Sequence, residues 1–142
     1  MSIDLDTART VVAGARAYGR REGLRPLTVV VLDAGGHVVA AEREDGASIK
    51  RFEIAHGKAH GALALGMGSR AIMARAEQQP YFVVAAAAAV GGGLVPVPGG
   101  VLALDGSGTT IGAVGISGDT SDADEAACVA GLVAAGLSPV TG

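Results

Sequence analysis

The chain of 142 residues has no tryptophan, two phenylalanines, two tyrosines, one cysteine and only 18% charged residues. Each scarcity excludes something. The lone Cys128 excludes an intrachain disulfide and fits a reducing compartment, so a cytoplasmic location is expected. A net charge of −3, with no basic run and few aromatics, excludes the charged footprint and stacking platform of a nucleic-acid binder. No apolar run is long enough to span a bilayer: VVAAAAAVGGGLVPV, from Val83, is interrupted by glycine and proline. The opening MSIDLDTART lacks the basic-then-apolar pattern of an export signal.

What is present is small and apolar. Hydrophobic residues make up 49%, which excludes disorder, and there are 23 glycines and long alanine runs. A core of alanine and valine requires its elements to approach closely. It also leaves a small chain with apolar surface to hide, so a homo-oligomer is expected. The length fits one domain spanning residues 1–142.

Apolar residues at helical spacing predict a helix over residues 4–22, closed by Arg20, Arg21 and Gly23. LTVVVL (Leu27–Leu32) and HVVAAER (His37–Arg43) flank the turn Asp33-Ala34-Gly35-Gly36 and predict a hairpin. Ser48 is the expected cap of a second helix running to about Gly66. Ser69 is the expected cap of a third, Arg70–Gln78, ended by Pro80. Residues 81–90 leave helix and strand both open, because alanine favours helix while nearby glycine and proline oppose a long one. Gly91–Gly100 reads as a loop. Val101–Leu104 and Thr110–Ile116 predict a second hairpin. A last helix starts near Ser121 or Asp122, with Glu125 completing a capping box. Hairpins imply antiparallel pairing, so the fold class is α+β.

The stretch EIAHGKAHGAL (Glu53–Leu63) carries two of the three histidines, four residues apart. On a helix Ile49, Glu53, His56 and His60 share one side, and Ala55, Ala59, Ala62 and Gly66 share the other. The alanine side suits a sheet. The histidine side then faces solvent, a cleft or a second copy. Two neutral imidazoles one turn apart can chelate a transition metal, with Glu53 one turn earlier. They can equally ligate haem iron, move protons, or be polar residues on an exposed or interfacial face. A zinc-protease helix is excluded, because Gly57 follows His56 where that chemistry needs glutamate. A carboxylate-bridged di-iron site is excluded by the lack of a second Glu-x-x-His.

The remaining motifs carry less. GGGLVPVPGG lacks the Gly-Lys-Ser/Thr of a phosphate loop, and its glycines suit close backbone approach along a pocket wall. Ser117 lacks a nucleophile-elbow setting. Asp119, Asp122, Asp124 and Glu125 suit the start of a helix. Cys128 on an apolar helix reads as core. Lys58, Arg51 and Arg70 can bind a carboxylate or a haem propionate.

Several stretches together resemble the haem-binding-protein and glycolate-locus (GlcG/HbpS-like) family, a domain also fused to some cobalamin adenosyltransferases. They are VVVLDAGG (Val29–Gly36), EDGASIKRFEIAHGKAHGA (Glu44–Ala62), GGV (Gly99–Val101) and IGAVGISGDTSDADE (Ile111–Glu125). The resemblance implies a central antiparallel sheet of about five strands flanked by helices, assembled into dimers or larger oligomers. It implies that some members bind haem, degrade it or bind corrinoid-type ligands. Asp45, Gly46, Lys58, Ala59, Gly99, Gly100, Gly115, Ser117 and Gly118 match its pattern in structural or pocket-lining roles. His60 departs from it, standing where the family often has threonine, and His56 is an unusual polar choice.

The leading expectation is a small-molecule ligand pocket near residues 45–60 and the Gly99-Gly100 loop, with haem as the ligand. His56 or His60 would be the axial donor, and Lys58 or Arg51 would lie near the propionates. The first alternative is a cofactor-free enzyme acting on a small carboxylate or carbonyl compound. There His60 or His56 would move protons, Asp45 or Glu53 would orient the imidazole, and Lys58 or Arg51 would hold the substrate. The second is an accessory structural subunit in which the histidines are incidental.

Overall fold

Asp4 starts the first helix by accepting a hydrogen bond from the Thr7 amide at 2.8 Å, and α1 (Leu5–Arg21) follows with Val11, Val12 and Ala15 buried along one side. The computed structural model describes residues 1–142. After α1 come β1 (Thr28–Asp33), β2 (Val38–Arg43), α2 (Arg51–Leu65), α3 (Ser69–Gln78), α4 (Pro80–Ala89), β3 (Gly100–Leu104), β4 (Thr110–Ser117), α5 (Ser121–Ala134) and β5 (Ser138–Val140). The five strands form one antiparallel sheet in the order β2-β1-β4-β3-β5. The protein is a single α+β domain, as the paired hairpins predict.

Strand residues alternate between two cores. Val29, Val31, Val101, Val114 and Ile116 face α1 and α5, where they meet Val11, Val12, Cys128 and Leu132. Val30, Leu32, Leu102 and Ala113 face α2 and meet Ala55, Ala59 and Ala62. The alanine side of α2 therefore lies on the sheet, and the histidine side is turned away from it. Gly115 makes the close seat possible, because a Cβ there would run into the carbonyl of Ala55. Small residues here replace bulk with proximity, which keeps the core dense without large side chains.

Three local expectations are corrected, and one strand without a local pattern completes the expected five. Lys50, not Ser48, precedes α2, and it supplies no side-chain cap. Gly68 precedes α3, while Ser69 is buried and exchanges hydrogen bonds with Gly100. Thr120 caps α5 by accepting from the Ala123 amide, and Asp122 and Glu125 pair with Arg70 instead of forming a capping box. A short fifth strand, Ser138–Val140, joins the sheet beside β3.

The open choice at residues 81–90 resolves to helix. Pro80 opens α4 at the position where its missing N–H costs nothing, and the alanines continue it. α4 packs on α3, with the Arg75 guanidinium 3.9 Å from the Phe82 ring centroid. Only Val83 of α4 is buried. No helix is long and apolar enough to cross a membrane.

Candidate functional site

The polar side of α2 carries a ladder of rings at one-turn spacing. Phe52 and His56 have centroids 5.9 Å apart, and His56 and His60 have centroids 5.5 Å apart with planes 14° from parallel. The chain between α4 and β3 folds back against this ladder. Gly57 and Gly61 leave room for it: side chains there would press on Val95 and Leu94. The Val95 amide donates to the Gly57 carbonyl at 3.1 Å. Gly91, Gly92 and Gly93 all adopt left-handed backbone, at φ 80°, 87° and 64°, and turn the chain beside His60. The result is a cleft of about 530 Å³ lined by Val38, Phe52, Glu53, His56, His60 and Val90–Gly93. That volume is in the usual range for a small-molecule site.

The cleft fixes the chemistry of one imidazole. His60 Nδ1 lies 2.8 Å from the Gly93 carbonyl oxygen. A carbonyl only accepts, so in this bond Nδ1 carries the proton. In the neutral ring Nε2 then bears the lone pair. His56 is half-buried, and its ring makes no hydrogen bond to protein. Burial, with the neighbouring His60 as a smaller cause, pushes its pKa below the ordinary histidine value and favours the neutral ring. Glu53, on the same side one turn earlier, is exposed and lies 3.8 Å from Lys50.

The other residues expected at the site lie elsewhere. Lys58 is only 2% exposed and points into the core. Its Nζ donates to the Ile116 carbonyl at 2.9 Å and to Asp124 Oδ2 at 3.1 Å. Gly99 sits against this ammonium, where a Cβ would lie 2.9 Å from Nζ. Gly100 opens β3 against the Lys58 backbone and Ser69. Gly99 and Gly100 therefore wall in a buried ion pair and do not line the cleft. Burial pushes the Asp124 carboxyl above its ordinary value, opposed by the Asp119 amide, Lys58 and the Gly118 amide. Arg51 bonds Ser48 and Ser117 at 2.9 and 3.1 Å, and neither it nor Asp45, on the exposed turn after β2, lines the cleft. Cys128 is fully buried, which pushes its thiol pKa up, as a core cysteine requires.

The cleft recruits residues that pattern reading passed over, Phe52, Val38 and Val90, beside Gly91–Gly93, whose run does form a pocket wall as its glycines suggest. One signal for them exists in the sequence. Gly57 and Gly61 follow the two histidines at the same four-residue spacing, and such a pair on a helix marks the close approach of another segment. No group of three or more His, Cys, Asp and Glu side chains converges in a geometry that would hold a metal ion.

An antiparallel five-stranded sheet with α1 and α5 on one face and a histidine-bearing α2 on the other defines a class of small α+β domains. Within it, the chain belongs to the HbpS-like family: the family model described as "Haem degrading protein HbpS-like" matches residues 3–133. No curated protein matches the chain. Among solved structures it is similar to the PduOC:heme complex, at TM-score 0.85 and 20% identity over 97% of this chain and 98% of that one. It is similar to Klebsiella pneumoniae ORFY, at 0.82 and 23% over 94% and 90%. It is also similar to HbpS from Streptomyces reticuli, a double mutant, at 0.79 and 22% over 94% and 86%.

Proposed function

We propose that this chain binds haem or a related tetrapyrrole in the cleft between α2 and Gly91–Gly93, with His60 Nε2 as the donor to the iron. The observation that carries the reading is the 2.8 Å bond between His60 Nδ1 and the Gly93 carbonyl. A ligating histidine is commonly held this way through its second nitrogen, which fixes the tautomer and raises the donor strength of the first. Membership of the HbpS-like family supports the ligand class.

The residues present fit the group. Phe52, Val38 and Val90 offer apolar contact to a flat macrocycle, and Gly91–Gly93 let the backbone approach it without side chains. His56, whose ring makes no hydrogen bond to protein, stands one turn from the donor. Lys58 and Arg51 are committed to Asp124 and to Ser48 and Ser117, so neither is free to hold the propionates. When bound, haem supplies redox and ligand-exchange chemistry at its iron. The chain orients it, contributes one nitrogen donor and limits access from one side.

Haemin titration followed at the Soret band tests this. Wild type is expected to give a ligated spectrum, His60→Ala to lose it, and His56→Ala to keep it with weaker binding. Identical spectra in all three overturn the assignment of His60.

A second reading has one observation in its favour: His56 and Glu53 share the cleft, and no hydrogen bond to protein engages the His56 ring, whose pKa burial lowers. That arrangement suits a general base acting on a small carboxylate or carbonyl compound. Asp45 takes no part in it.

The assembly belongs to the same proposal. α4 carries no charge and leaves Tyr81 71% and Val84 72% exposed, which a homo-oligomer would cover. A single buried thiol suits the cytoplasm.

A further inference from the structure

We infer that His56 and His60 form a two-point chelate for a divalent late transition-metal ion of the zinc, nickel or copper kind. The inference shares the cleft with the tetrapyrrole reading but does not rest on it. The two rings lie one helical turn apart on the same side, and both line the cleft. A tetrahedral ion about 2 Å from two imidazole nitrogens puts the ring centroids about 5 Å apart. The observed 5.5 Å already suits that span. The rings are near parallel, so closing the chelate needs a change of tilt and not of spacing. His56 supplies it, since no hydrogen bond to protein holds its ring.

His60 is the fixed arm. Its bond to the Gly93 carbonyl presents Nε2 as the donor and spares the site the cost of choosing a tautomer. Imidazole nitrogen favours zinc, nickel and copper over magnesium or calcium, which prefer oxygen. Only two protein donors converge, so the remaining positions of the ion stay open to water or to a carboxylate from a small ligand. Glu53 lines the same cleft one turn earlier and limits the anions that can enter. His37 takes no part: it is 80% exposed, and its Nδ1 is 3.1 Å from Asp33.

Calorimetric titration of the full-length, tag-free protein with nickel chloride and zinc chloride tests the inference. One ion per chain is expected. His56→Ala and His60→Ala should each weaken binding about tenfold or more. His37→Ala should leave it unchanged. His60→Gln, which keeps a donor for Gly93 but removes the imidazole, should weaken binding as much as His60→Ala does and guards against a misfolded variant. Absence of binding by wild type, or binding insensitive to both cleft histidines, overturns the chelate. Haemin titration of the same preparations separates the two readings. Metal without haem refutes the tetrapyrrole and keeps the chelate, whereas haem without metal does the reverse. If both bind, nickel must slow haem uptake, because both need His60 Nε2; independent binding overturns the chelate.

Discussion

The imidazole of His60 and the carbonyl of Gly93 join helix α2 to the loop before β3 across 33 residues of sequence, at 2.8 Å. The bond makes one wall of the cleft and selects a tautomer together. Gly93→Ala should break both effects. An alanine at φ 64° is strained by about 1 kcal/mol, and its Cβ would lie 3.0 Å from His60 Nδ1. Nitrogen-15 spectra of the imidazoles should show wild-type His60 as the Nδ1–H tautomer and the variant as a mixture. A variant that keeps the single tautomer would refute the link.

The buried Lys58–Asp124 pair joins α2 to α5 beside the Ile116 carbonyl of β4. Lys58→Met removes the cation and leaves Asp124, 1% exposed, facing the core without it. A loss of about 3–5 kcal/mol in urea unfolding is expected. The double variant Lys58→Met with Asp124→Leu should recover most of that, since the isolated charge and not the missing attraction makes up the larger part of the cost. A double variant no better than the single one would contradict this.

Acid sensitivity should trace in part to Asp119. Its carboxylate accepts from the amides of Arg25 and Thr120, both at 2.8 Å. These bonds, the Arg25 amide foremost, lower its pKa below the ordinary 3.8. A depressed carboxylate stabilises the fold above its unfolded value and loses that contribution as pH falls through its folded value. Asp119→Asn should therefore lower the melting temperature at pH 7 and matter progressively less below pH 3.8. A constant difference across that range would rule out the linkage.

The fold was more legible than the cleft, for physical reasons. Hairpins, α1 and the alanine side of α2 are written in local spacing, which is why Ala55, Ala59 and Ala62 could be assigned to the side of α2 that lies on the sheet. The destination of Lys58 depends on Asp124, 66 residues away, and no local pattern encodes that pairing. Lys58 looked like a ligand for an anion and proved to hold the core together. Gly99 and Gly100, expected along a pocket wall, make room for the same lysine. The short strand Ser138–Val140 exists through its pairing with β3, so its three residues showed no pattern of their own.

Two glycines should respond oppositely to the same substitution. Gly115 lies where α2 crosses β4, and a Cβ there meets the Ala55 carbonyl and comes within 3.0 Å of the Ala59 side chain. Neither a helix carbonyl nor a packed alanine yields cheaply, so Gly115→Ala should cost about 3 kcal/mol. It should also lift the N-terminal half of α2, disturbing Phe52 and His56 at the cleft. Gly106 sits in the turn between β3 and β4, where a Cβ would have no neighbour within 4 Å and no left-handed backbone to strain. Gly106→Ala should leave the native turn intact and restrict only the unfolded chain, for a gain of about 0.4–1 kcal/mol. Urea unfolding of both variants checks the pair: equal effects would mean that the seat of α2 on the sheet is looser than its geometry requires.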